Sequence, residues 1–175
     1  MPDWCDNNLK VTGPSADLDR FVAGGVDFNT AVPYPEPFKS MDEAAEAWDA
    51  AHPYGSRTYK KHFAERPDDG FNQGGYEWCV DHWGTKWNAR SQGAIERRTP
   101  EEATVLFMTA ETPPVPVVKA WSAKYPTLTF SLRFEDAAGR PGQFTARNGR
   151  KLMAPKRPSR GRRGRRAASR NGTRQ

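Results

Sequence analysis

"TLTFSLRFED", residues 127–136, sets Leu128, Phe130, Leu132 and Phe134 in strict alternation with Thr129, Ser131 and Arg133. Successive side chains of a strand point to opposite faces, so this pattern predicts a strand with one buried and one polar face. Upstream, "NNLKVTG" (7–13) alternates Leu9 and Val11 with polar residues and stops at Gly13, which reads as a second, shorter strand. It runs into "SADLDRFVAG" (15–24). There Ser15 is expected as N-cap, with Leu18, Phe21 and Val22 on one helical face and Gly24 as the stop. "GAIERR" (93–98) and "ATVLFMTA" (103–110) are strand-like runs joined as a hairpin through "TPEE". "PPVPVVKAWSAKYP" (113–126) opens on prolines and then places Val117, Val118, Trp121 and Tyr125 at helical spacing. "AAGRPGQFTA" (137–146) adds a turn and a short closing strand.

Between the first helix and the second strand lies an insertion, residues 28–90. In "VPYPEPF" (32–38), Pro33, Pro35 and Pro37 are expected to exclude regular helix. "SMDEAAEAWDAAH" (40–52) reads as an alanine-rich helix capped by Ser40, with acids in its first turn. "SRTYKKHFAERP" continues helically to Pro67, and "DDGFNQGG" is a loop. With the insertion set aside, the order is strand–helix–strand–strand–helix–strand. This is the split βαβ or ferredoxin-like arrangement, an α+β plan in which two helices cover one face of an antiparallel sheet.

The insertion ends in "YEWCVDHWGTKWNA" (76–89), rich in Tyr and Trp and holding one of two cysteines and one of three histidines. Cys79 and His82 have the C-x-x-H spacing that can supply two zinc ligands. A structural site generally needs four, and only Cys5, His52 and His62 remain to complete one. No metal or cofactor is expected. A helix over 76–83 would line up Tyr76, Cys79, Val80 and Trp83 as an apolar stripe ended by Gly84, leaving Trp78 and His82 as a surface pair on the other side. Cys79 then acts as a small buried hydrophobe. Trp83 and Trp87 are expected as structural anchors, with the Lys86 stem laid along a Trp face. An enzyme would need an acid, a base and a nucleophile to converge, but helical geometry spreads Cys79, Asp81, His82 and Lys86 around the axis.

Charge divides the chain in two. It has 27 basic and 21 acidic residues in 175, but eleven of the basic ones lie from Arg150 onward, where there is no acid. Residues 1–149 are therefore mildly acidic, and the pI near 9.5 belongs to the tail. The segment "APKRPSRGRRGRRAASRNGTRQ" (154–175) has no acid and no large apolar side chain. Such a composition cannot bury a core and is expected to be disordered. Arg157, Arg160, Arg162, Arg163, Arg165 and Arg166 fall within ten residues, a density suited to phosphate contact without base readout. No run approaches the roughly 18 apolar residues of a membrane span, and the first residues lack a secretory pattern. A cytoplasmic protein with reduced Cys5 and Cys79 is the expectation.

"PDWCDNNLKVTG", "VPYPEPF", "WGTKWNA", "LFMTAETPPVPVV" and "KYPTLTFSLRFED", in this order over residues 2–146, resemble the YubB-like, ferredoxin-like-domain proteins of phages and plasmids. The resemblance implies a ferredoxin-like fold without an iron–sulfur cluster, and no established activity. Trp4, Trp83, Gly84, Thr85, Lys86 and Trp87 form its structural signature here. The chain departs at Asp3, where the family usually has Asn, and at Glu111, where it has Trp. The expectation is a ferredoxin-like domain over 1–149 and a disordered Arg-rich tail over 150–175. The chain would be a non-enzymatic accessory protein of a mobile element that contacts nucleic acid non-specifically through Arg157 to Arg166. Binding of a host protein by the folded domain, as inhibitor or adaptor, is the alternative.

Overall fold

The computed structural model describes residues 3–91 and 95–153; the arginines at 157, 160, 162, 163, 165 and 166 lie outside them, as does the expected disordered tail beyond Met153. Strand β1 (Trp4–Thr12) occupies the middle of the sheet. It pairs antiparallel with β4 (Glu102–Ala110) on one side and β5 (Thr129–Glu135) on the other, so Leu9 stands opposite both Val105 and Leu132. On the far edge of β4 lie β2 (Arg90–Ser91) and β3 (Glu96–Thr99), both antiparallel to it. Beyond β5 come β6 (Pro141–Arg147) and the two-residue β7 (Arg150–Lys151). The sheet has seven strands among the described residues. Within it β3, β4, β1 and β5 stand in ferredoxin-like order, with helix α1 (Ser15–Gly24) after β1 and a second main helix between β4 and β5.

Alternation decides which face is dry. Leu9, Val11, Val105, Phe107, Phe130 and Leu132 all project to one side and are buried there. They meet Leu18 and Phe21 of α1, and Val117, Val118 and Trp121 of the second main helix. Phe21 packs edge-on against Phe130 and Trp121, with ring centroids 5.2 and 5.7 Å away. Each such side chain contributes roughly 1.5–3 kcal/mol on leaving water. The opposite face, with Asn8, Lys10, Ser131, Arg133 and Gln143, carries no helix and stays wet. Thr129, Ser131 and Arg133 belong to it, as the alternation required.

The insertion is helical: a 3₁₀ turn (Phe28–Thr30), α2 (Glu36–Ala51), α3 (Arg57–His62), a second 3₁₀ turn (Phe63–Glu65), a kinked turn (Phe71–Gly75) and α4 (Tyr76–Trp83). The second main helix is then α5 (Val115–Lys124). Two boundaries differ from expectation. Helix α2 starts at Glu36, with Pro35 just ahead of it and Pro37 in its first turn. First-turn amides have no intrahelical acceptor, so proline starts this helix rather than excluding it, and Ser40 lies inside. Ser15 is likewise within α1 rather than its cap; its hydroxyl instead takes a hydrogen bond from Arg97 Nη2 at 3.2 Å.

The boundary expected after residue 149 also moves. Arg150 pairs with Arg147, Lys151 with Ala146, and Leu152 N–H donates to Thr145 O at 2.8 Å. These residues close the sheet. A chain ending at Gly149 should therefore melt below one ending at Met153. Losing two or three net hydrogen bonds of about 1 kcal/mol each predicts a drop of about 4–12 °C, read by circular dichroism.

Candidate functional site

Helix α4 spans the expected residues, and Gly84 ends it in the left-handed region at φ 77°. A Cβ at this position would also stand 2.8 Å from Pro116 Cδ, so only glycine lets the chain turn against the start of α5. The buried stripe is rotated from the expected one. Cys79 and Trp83 are buried, but Tyr76 and Val80 are 39% and 41% exposed. The reason is Trp78, which leans inward and packs edge-on against Trp83 (5.6 Å) and Tyr34 (5.8 Å), displacing Tyr76 from that side. Exposed His82 stacks on the outer face of Trp78 at 4.4 Å and 8°, with its Nδ1 2.9 Å from the Trp78 carbonyl. The Trp78–His82 pair thus exists as a stack, but one of its rings is half-committed to the core.

The "WGTKW" signature ties α4 to the end of the sheet. Trp83 Nε1 donates to Val32 O at 2.8 Å, and buried Thr85 donates from Oγ1 to Ala110 O at 2.8 Å. Lys86 Nζ lies 2.5 Å from Glu111 Oε1 and 5.2 Å from the centroid of the Trp87 ring. Trp87 is not the buried anchor that was expected. It lies past the helix on the rim, 40% exposed, with Trp4 and Phe71 each at 6.4 Å. Arg90 covers the Trp4 ring at 5.6 Å, which completes an aromatic and cationic strip along that end of the sheet.

Nucleophilic chemistry is disfavoured by burial. Desolvation pushes the Cys79 thiol up to about 12 and the Cys5 thiol up to about 11, the opposite of an activated cysteine. Cys79 points into the core and His82 to solvent, so the C-x-x-H pair does not converge. Among the described residues, no three His, Cys, Asp or Glu side chains cluster in a way that could hold a metal ion. Tyr34 Oη is buried without a hydrogen-bond partner among the described residues, and desolvation, then the nearby Asp42 carboxylate, raises its pKa.

On the open sheet face, a shallow concavity of about 400 Å³ lies over Asp6, Asn8, Leu106, Arg133 and Glu135. Leu106 is 56% exposed at its centre, among charges of both signs. The edge beyond it is different. Asn148 and Gly149 take φ values of 48° and 70°, a two-residue hairpin turn that sets Arg147 directly opposite Arg150. Like charges across a ladder disfavour each other unless an anion joins them, and both side chains are exposed. "RNGR" (147–150) holds the Asn-Gly hairpin signal, and reading it would have found this edge from sequence.

Sheet order and helix placement define a ferredoxin-like α+β domain with a helical insertion. Residues 82–157 match the family model described as the ferredoxin-like domain in Api92-like protein. The match runs from the end of α4 through β7. A crystal structure of the protein Api92 from Yersinia pseudotuberculosis is similar at a TM-score of 0.52 and 10% sequence identity, covering 89% of this chain and 99% of that one. At that identity the likeness speaks for the fold. No curated protein matches the sequence. Among the described residues, no helix is long and apolar enough to cross a membrane.

The two tryptophans of the signature should separate in a stability assay. Trp83→Ala should cost about 3–5 kcal/mol in denaturant unfolding, as for other buried aromatics. Trp87→Ala, on the rim, should cost about 1 kcal/mol. Equal losses would place Trp87 back in the core.

Proposed function

We propose that the chain is a non-enzymatic accessory protein of a mobile element that holds nucleic acid non-specifically through its arginine-rich C-terminal segment. The observation that carries this reading is the juxtaposition at the β6–β7 turn. Arg147 and Arg150 face each other on an exposed edge, and the sequence runs on into a segment (154–175) that contains nine basic residues and no acid. A run of cations starting at an already cationic edge suits a polyanion better than a protein surface. Arginines spaced by Gly, Pro and Ser suit contact to phosphates over sequence recognition. The mobile-element setting rests on the resemblance of five motifs to YubB-like proteins. Buried, protonated thiols and the divergence of Cys79 from His82 support a binding role over a catalytic one.

Fluorescence anisotropy against salt tests the proposal. If Arg157, Arg160, Arg162, Arg163, Arg165 and Arg166 engage about six phosphates, log K should fall against log salt with a slope of about −4 on single strands and about −5 on duplex. A chain ending at Met153 should lose most of that affinity and keep its melting temperature. Equal binding with and without the segment would overturn the proposal and turn attention to a host protein as the partner.

A further inference from the structure

Residues 48–66 build an exposed aromatic lobe far from the sheet in sequence. Ser56 caps α3 by accepting from Tyr59 N–H at 3.0 Å, which fixes the turn between α2 and α3. Tyr59 then sits among three rings: Tyr54 at 5.2 Å, Phe63 at 5.4 Å and Trp48 at 5.7 Å. Tyr54 and Phe63 are 90% and 55% exposed, among the most exposed large apolar side chains described. Together with Tyr59 they border a concavity of about 420 Å³ over the Asp49–Arg66 pair. That pair is two-pronged, Nε to Oδ1 at 2.9 Å and Nη2 to Oδ2 at 2.8 Å, so the floor is rigid and close to neutral.

A purely structural role would turn these rings inward, yet the lobe spends apolar area on water. Its charges point to what could cover them. Residues 48–66 hold Arg57, Lys60, Lys61 and Arg66 against two acids, Asp49, which is paired with Arg66, and Glu65, which His62 meets at 3.1 Å. Arg57, Lys60 and Lys61 are exposed. Asp42, Glu43 and Glu46 lie on earlier turns of α2. Exposed rings beside cations that make no salt bridge among the described residues form a stacking platform with phosphate contacts at its margin, the combination by which proteins hold single strands.

We infer that this lobe is a second nucleic-acid contact, one that takes unpaired bases of a single strand onto Tyr54 and Phe63 while Arg57, Lys60 and Lys61 meet the adjoining phosphates. The inference shares its class of partner with the proposed function but rests on different residues and on stacking as well as charge.

The two can be told apart with the full-length chain. Binding is measured to oligo-dT and oligo-rU, to a strand of the same length made of abasic sites, and to duplex. The double variant Tyr54→Ala/Phe63→Ala should bind the base-bearing strands at least about fivefold more weakly than the parent. Its affinity for the abasic strand and for duplex should hold, and so should its salt slope, because no phosphate contact is lost. Both rings are exposed, so the variant should melt with the parent. Equal binding of base-bearing and abasic strands by the parent would overturn the inference, as would unchanged affinity of the variant for oligo-dT and oligo-rU. Loss in the variant of binding to vesicles of phosphatidylserine and phosphatidylcholine, with strand binding unaltered, would reassign the lobe to a lipid surface. A parent that prefers base-bearing strands but binds them equally with and without residues 154–175 would sink the arginine-segment proposal and leave this inference standing.

Discussion

Asn88 is the clasp on which the rest of the architecture depends. Its Oδ1 accepts the Phe28 N–H at 3.0 Å, and its Nδ2 donates to Asp27 Oδ1 at 2.7 Å. One side chain thereby brings together two points 60 residues apart, where the insertion leaves the domain and where it returns. Closing a flexible loop of that length costs several kcal/mol of chain entropy by its logarithmic scaling, and the clasp alone does not offset it. Phe28 does, with help. Fully buried, it meets Trp83, Trp121 and Phe107 edge-on at 5.6, 5.8 and 6.4 Å, so one ring joins the insertion, the second main helix and the sheet. Trp121 Nε1 then donates to Thr30 Oγ1 at 2.9 Å, and the mouth of the insertion is fixed on both sides.

A second constraint acts where the helices stop covering the sheet. Asn7 and Thr109 face inward there but are polar, and burying them requires partners. Asn7 Nδ2 donates to Thr109 Oγ1 at 2.9 Å and to Cys5 O at 3.0 Å, and Thr109 Oγ1 donates in turn to Thr112 O at 2.7 Å. Thr112 Oγ1 reaches Gly84 O at 2.5 Å, and Thr85 reaches Ala110 O. The turn after β4 is thus stitched to the turn after α4 by hydroxyls and amides. Glu111 lies in that turn with φ at 69°, and its carboxylate meets Lys86.

Strands were readable because each wears its own pattern. Leu128 to Phe134 alternate without a break, and the face they choose is the dry one. Helix α4 could be bounded at Gly84, since a left-handed stop is a local matter. What stayed hidden depended on distance. Nothing near Phe28 in the sequence says that it will enter the core, because its neighbours there come from residues 83, 107 and 121. Trp87 is expected as an anchor because a turn at Gly84 can fold it back onto the domain. It lies on the rim because the chain has already turned at Gly84, and Trp4 and Phe71 offer it only one sheltered side. Pro37 was read as a helix breaker when its place in a first turn makes it a helix starter. Arg150 was assigned by composition to the basic tail, although "NG" between two exposed residues already described a hairpin.

The wet sheet face is the obvious place to look for a partner on such a fold, yet its charges argue against a polyanion there. Lys10 is held by Glu102 at 2.6 Å and Arg98 by Glu96 at 2.5 Å. Arg133 shares its concavity with Asp6 and Glu135. Within a Debye length of about 8 Å a phosphate over this surface would meet as much repulsion as attraction. Among the described residues, cations outside the salt bridges lie elsewhere, Arg147 and Arg150 at the β6–β7 edge and Arg57, Lys60 and Lys61 on the aromatic lobe of the insertion. The lobe adds rings to charge, and the edge adds only more charge. A duplex, whose bases are already stacked on one another, can use the second and not the first. On the proposed reading a single strand can use both, so a charge-only edge and a stacking lobe together favour partners with unpaired bases over fully paired ones.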